Sequence, residues 1–122
     1  MPPSGLVVSE IENVTIVSFR SASIIDLPSV EAIGRDLYTL VDEQAKRRII
    51  LDFSAVKFLS SQMLGVLIAL QKKSKAIKGR VVLCGLRPEL QKVFKITKLD
   101  KILEFAPDEG EALKRFDVVG QG

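Results

Sequence analysis

Arg48-Ile49-Ile50-Leu51-Asp52-Phe53-Ser54-Ala55-Val56-Lys57-Phe58-Leu59-Ser60-Ser61-Gln62-Met63-Leu64-Gly65-Val66-Leu67 is the stretch on which the fold turns. Its first six residues form a compact apolar strand. Ile49, Ile50 and Leu51 are consecutive, the pattern of a strand covered on both faces. Ser54 to Leu59 reads as a loop, and Ser60-Ser61 opens a helix. Met63, Val66, Leu67 and Leu70 recur at helical spacing on one face, with Leu64, Ile68 and Ile77 widening it. Lys72, Lys73, Lys75 and Lys78 crowd the C-terminal half, where cations complement the helix dipole, and Gly79 is a suitable stop.

Working outward, the same alternation continues. Val81 to Cys84 is a short buried strand, and Gly85-Leu86-Arg87 turns into a helix led by Pro88 with Leu90, Val93 and Phe94 inward. Ile102 to Phe105 is a last strand, and Pro107-Asp108 starts a final helix carrying Ala112, Leu113 and Phe116. Upstream, Leu6–Ile11 and Val14–Phe19 are β-rich runs separated by Glu12-Asn13, a hairpin signal. Arg20 to Leu27 is polar and irregular. Asp26 is placed to cap a helix that Pro28 begins, and Val30, Ile33, Leu37, Leu40 and Val41 give that helix an apolar face ending near Ala45. The order ββαβαβαβα predicts an α/β domain: a mixed sheet of about five strands with about four helices packed on it through right-handed crossovers.

The chain has 122 residues, 47% of them hydrophobic and 27% charged, which suits one globular domain. Its expected limits are 6–117, with residues 1–5 and 118–122 as flexible tails. There is no histidine, which excludes a Ser-His-Asp triad, a Cys-His dyad and an imidazole-ligated metal. One cysteine, Cys84, forms no internal disulfide and reads as a small core residue, which fits a reducing compartment. No apolar run approaches the ~18 residues of a membrane span, and the N-terminus lacks the build of a signal peptide, so a cytoplasmic protein is expected. No metal and no cofactor are called for.

Charge is uneven. Residues 1–45 hold two basic and seven acidic side chains, residues 46–101 hold fourteen and three, and residues 102–122 hold two and five, for a net of +3. Solvated helix faces account for such a layout. Direct nucleic-acid binding is not expected, because no recognised motif accompanies the basic block and Phe58 and Phe94 read as core-facing. Asp52 at a strand end invites comparison with a carboxylate site. No second acid lies near it in sequence, so loop hydrogen bonding is the reading.

Two serines at a helix N-terminus have two readings from the same chemistry. A hydroxyl there accepts from otherwise unpaired N–H groups and caps the helix. A phosphate on such a serine would meet the same donors and the positive end of the dipole while adding about two negative charges.

From Leu6 to Phe116 the chain resembles the STAS domains (sulfate transporter and anti-sigma factor antagonist). The resemblance rests on the strand–loop–helix above, on Gly79-Arg80-Val81-Val82-Leu83-Cys84-Gly85-Leu86 and on the tract Pro88 to Leu103. In the bacterial antagonists of that family an Asp-Ser-Ser-Gly-Leu-Gly motif follows the strand, and its first serine is phosphorylated by a partner kinase. Without gaps, that Asp falls on Ser60, the phosphorylated serine on Ser61, the second serine on Gln62 and the glycine on Met63. A further family Asp falls on Asp26. The resemblance implies a cytoplasmic anti-sigma factor antagonist and no enzyme. Such a protein binds an anti-sigma factor/serine kinase, releases the sigma factor for transcription, and is switched off by phosphorylation at Ser61 and restored by a serine phosphatase. Asp26, Ser60, Ser61, Gln62 and Met63 would meet the partner, with the chain a monomer or weak dimer that engages neither nucleic acid nor membrane. Ser60 brings no negative charge, and Met63 adds bulk where the family has glycine. The alternative is a non-phosphorylated scaffold subunit of a sensory complex, using the same surface constitutively.

Overall fold

The structure, a computed structural model, describes residues 5–118. The predicted tails at 1–4 and 119–122 lie outside the described residues. β1 (Leu6–Ile11) and β2 (Val14–Phe19) form an antiparallel hairpin. Its two turn residues, Glu12 and Asn13, both have positive φ, 47° and 69°. That is the turn whose twist matches the strands it joins. β4 (Arg48–Asp52), β6 (Arg80–Cys84) and β7 (Glu104–Ala106) extend the sheet in parallel, giving the order β1-β2-β4-β6-β7.

Side chains alternate with the pleat, so the two faces separate cleanly. Val17, Phe19, Ile49, Leu51, Phe53, Val81 and Leu83 face α1 (Leu27–Asp42), α2 (Ser61–Ala76) and α3 (Pro88–Ile96) in the larger core. Val14, Ile16, Ile50, Val82 and Cys84 face α4 (Glu109–Lys114) in a smaller one. Ile50 and Leu51, adjacent in sequence, therefore lie in different cores, as the consecutive apolar run required.

Several boundaries differ from the sequence expectation. The first helix stops at Asp42 rather than near Ala45, whose φ of 52° is not helical. The last strand is Glu104–Ala106 rather than Ile102–Phe105, because Leu99–Lys101 coils into a short 3₁₀ turn first. Val118, assigned to the tail, is buried beside Phe116 in the smaller core. Gly79 has ordinary φ; the left-handed residue after α2 is Lys78, at 60°. Gly79 is needed for space instead, since a Cβ there would lie 2.6 Å from Ser74 Oγ and 2.9 Å from the Arg47 carbonyl.

Two segments expected to be irregular contain strand. β3 (Ser23–Ile24) and β5 (Phe58–Leu59) pair in parallel, Ser23 with Phe58 and Ile24 with Leu59. This small bridge stands apart from the main sheet and leads directly into α1 and α2. Among the described residues no helix is long and apolar enough to cross a membrane.

Candidate functional site

The β3–β5 bridge sets two helix N-termini side by side. Lys57 and Phe58 donate their N–H groups to the Ala22 carbonyl at 2.7 and 3.1 Å, and Ser60 N–H donates to the Ile24 carbonyl at 3.0 Å. Two residues past the paired Ile24 and Leu59 come Asp26 and Ser61, so these leave the bridge at the same level.

Ser60 is the N-cap of α2. Its backbone is extended (φ −82°, ψ 163°), and its Oγ accepts from Met63 N–H at 3.2 Å. That N–H also reaches the Ser60 carbonyl at 3.1 Å, so the capping contact is shared rather than exclusive. Ser61 is the first helical residue and is exposed, as is Gln62. The two hydroxyls are thus divided: Ser60 caps, and Ser61 stands in solvent over unpaired donors of the first turn.

Asp26 caps α1 in the same manner, its Oδ2 accepting from Ser29 N–H at 3.0 Å. Hydrogen bonds from the Ser29 side chain and backbone hold its carboxyl below the ordinary range, so it is ionised at neutral pH. Met63 departs from expectation. Its side chain is 0% exposed and belongs to the larger core, so the free chain does not present it at the surface. At N3 of the helix it points back beneath the rim.

What replaces it at the surface is apolar. Ile25, Leu27 and Phe58 are 58%, 53% and 62% exposed, around the residues that carry Asp26 and Ser61. Phe94 is buried as expected, but Phe58 is not core-facing. The signal for this was the bridge itself: with Ile24 buried and Leu59 half-buried, the alternating neighbours Ile25 and Phe58 turn outward.

On the other face of the same sheet edge, Asp52 Oδ1 accepts from Ser54 N–H at 2.9 Å, the expected loop bond. A second acid does face it: Glu109, in the first turn of α4. The hydrogen bond with Asp52, reinforced by burial, pushes Glu109 up to about 7. Burial would raise Asp52 too, but the bonds from Glu109 and Ser54 outweigh it and lower that carboxyl. Below about pH 7 the pair therefore holds one proton, on Glu109 rather than Asp52. Gly85, at φ 71°, leaves the room this needs, since a Cβ there would lie 2.8 Å from Asp52 Oδ1. Burial, then the neighbouring acids, pushes Cys84 up to about 12, which leaves an inert thiol.

Comparison with known proteins agrees with this architecture. The STAS domain family matches residues 6–112. The chain belongs to the STAS domain family. BtrV, a candidate anti-sigma factor antagonist of Bordetella bronchiseptica, is 28% identical over 93 residues, 76% of this chain and 79% of the relative. An anti-sigma factor antagonist from Mycobacterium paratuberculosis is 25% identical, with a TM-score of 0.81 over 96% of this chain and 98% of that one. The Bacillus cell fate determinant SpoIIAA, solved in its phosphorylated form, is 23% identical, with a TM-score of 0.70 over 91% of this chain and 98% of that one. This STAS domain has the five-stranded mixed sheet and four helices of those structures.

Proposed function

We propose that this STAS domain is an anti-sigma factor antagonist whose rim of Asp26, Ser60, Ser61 and Gln62 docks an anti-sigma factor/serine kinase and frees the sigma factor. Phosphorylation of Ser61 switches it off, and a serine phosphatase restores it. The chain is then a phosphate acceptor, not a catalyst.

The observation that carries this reading is the division of labour between the two serines. Ser60 holds the cap, so Ser61 is free to change chemically without loss of a structural bond. The surroundings support docking: Ile25, Leu27 and Phe58 supply exposed apolar area beside a hydroxyl. Burying such a surface favours association, and a phosphate introduced among it would bring desolvated charge into the interface. The likeness to phosphorylated SpoIIAA supports the choice of switch.

The test is capture of partners from the native organism with the purified chain as bait, followed by phosphopeptide mapping of bound and unbound pools. A serine kinase in the bound pool, with phosphate at Ser61 confined to the unbound pool, is the expected result. An unmodified Ser61 throughout, with the chain running in a large assembly by size-exclusion chromatography, would favour the constitutive scaffold instead.

A further inference from the structure

At the amino-terminal edge of the parallel strands, past the far end of the 16-residue α2 from Ser61 (roughly 24 Å at 1.5 Å per residue), lies a second concentration of chemistry. Arg47, Arg48, Lys78, Arg80 and Arg115 line an open cavity of about 360 Å³ floored by Phe116. We propose that this cavity is a binding site for a small soluble metabolite carrying two or more phosphoryl groups.

Helix dipoles account for part of the cluster: Lys78 follows the end of α2 and Arg115 caps the end of α4. One carboxylate accounts for a further part. Glu104 accepts from Arg80 Nε at 2.7 Å and from Arg80 Nη2, and from Arg115 Nη1 at 3.0 Å. Arg80 Nη1 also donates to the Arg115 carbonyl at 2.7 Å, which locks that guanidinium in place. Neither explanation reaches Arg47 and Arg48. Among the described residues no ion pair engages Arg47, Arg48 or Lys78. Among the described residues only Asp117 adds negative charge to the lining, so five cations there stand against two acids.

Arg48 and Arg80 are also direct partners in the parallel register of β4 and β6. Glu104 already offsets Arg80 in that pair, whereas Arg48 has no such carboxylate among the described residues and keeps its fork open to the cavity. Both guanidiniums lie over the Phe116 ring, 5.8 and 5.4 Å from its centroid, which fixes their position at the cavity. Guanidinium forks match phosphate oxygens two at a time, and arginines held in place lose little freedom on binding. A volume of about 360 Å³ is at the small end of ligand pockets and suits a small phosphorylated molecule rather than a duplex.

The probe is inorganic pyrophosphate, titrated calorimetrically into the full chain with orthophosphate as the one-phosphoryl comparator. Saturable binding is expected, tighter for pyrophosphate and weakened by added salt. Arg47→Gln and Arg48→Gln should each weaken it roughly tenfold, the loss of one charge-assisted contact. Lys78→Gln is a third variant should either arginine change fail to fold, as judged by its thermal melt. Lys72→Gln removes the same charge from an exposed position outside the cavity and should leave affinity unchanged, as should Ser61→Ala. Absence of binding would overturn the proposal, as would an equal loss in Lys72→Gln, which would reduce the effect to net charge. Retention on duplex DNA, or on phosphatidylcholine vesicles containing a phosphorylated inositol lipid, that pyrophosphate fails to displace would also overturn it, in favour of a nucleic-acid or membrane surface.

Discussion

Replacing Ser60 and Ser61 one at a time separates the cap from the switch. Ser60→Ala removes the Oγ that accepts from Met63 N–H at 3.2 Å. An N-cap deletion costs about 1 kcal/mol on average, within a range of about 0.5–2. Here the same N–H retains the Ser60 carbonyl at 3.1 Å, so the orphaned donor is only partly unmet. The loss should fall at the lower end, about 0.5–1 kcal/mol. Ser61→Ala removes no structural bond, exposes nothing new, and sets a better helix former at the first helical position, so its effect should lie within about 0.5 kcal/mol of zero. Ser60→Asp keeps an acceptor and adds a negative charge at the positive end of the dipole, a gain of about 0.3–1 kcal/mol at low salt. Urea unfolding of the three variants at pH 7, read by circular dichroism with m held common, resolves differences of this size. The expected order is Ser60→Asp above Ser61→Ala above Ser60→Ala. If Ser61→Ala is the least stable, the helix begins one residue later than the structure has it, and Ser61 is no longer free for modification.

Three further outcomes follow from the same geometry. Phe58→Ser should leave the thermal midpoint nearly unchanged, since the ring is 62% exposed, but weaken partner binding about tenfold or more in calorimetric titration; unchanged affinity would remove Phe58 from the rim. Met63→Gly, which installs the family residue, should destabilise by about 3–5 kcal/mol through the cavity left in the core and the helical glycine, measured by denaturant unfolding. Glu109, raised from 4.5 to about 7 when folded, holds a proton the unfolded chain has released, so stability should fall as pH rises from about 4.5 through 7. Solvent screening of this partly exposed pair reduces the effect to about 1 kcal/mol, and Glu109→Gln should flatten that stretch of the pH–melting curve.

Much of the fold was legible because its signals are periodic. The run Ile49-Ile50-Leu51 required cover on both faces, and the structure divides it between two cores. Asp26 was legible as a cap, and Ser60-Ser61 as a helix start, because an oxygen before an apolar helical repeat satisfies donors of the first turn. The β3–β5 bridge was not, since two residues per strand carry no periodicity to detect. Phe58 was misplaced by the same gap: apolarity alone argues for burial, and only the pairing with Ser23 turns it outward. Met63 was misplaced in the opposite sense, by its position in the family motif, although its helical spacing with Leu67 and Leu70 already argued for the core. The Asp52–Glu109 pair was invisible because its members come from elements far apart in the chain and meet only once α4 packs on the sheet.

The motif departures bear on how a phosphate at Ser61 would be tolerated. Asp26 leaves the bridge level with Ser61 and is ionised, so a phosphoserine there would face one like charge. In the family motif the residue before the serine is also acidic and would add a second; here Ser60 is neutral. Against that repulsion stand the positive end of the α2 dipole and the unpaired donors of its first turn, an attraction of about 0.3–1 kcal/mol per charge at an exposed site. The two contributions are of similar size in water, so phosphorylation should barely move the stability of the isolated domain. A docked partner changes the balance, because burying Ile25, Leu27 and Phe58 removes the water that screens Asp26 from the phosphate. The repulsion then grows faster than the dipole can offset it, and unfavourable juxtaposition of like charge in an interface costs several kcal/mol. A single modification can therefore be nearly silent in the free chain and decisive in the complex, which is the behaviour a switch on this rim requires.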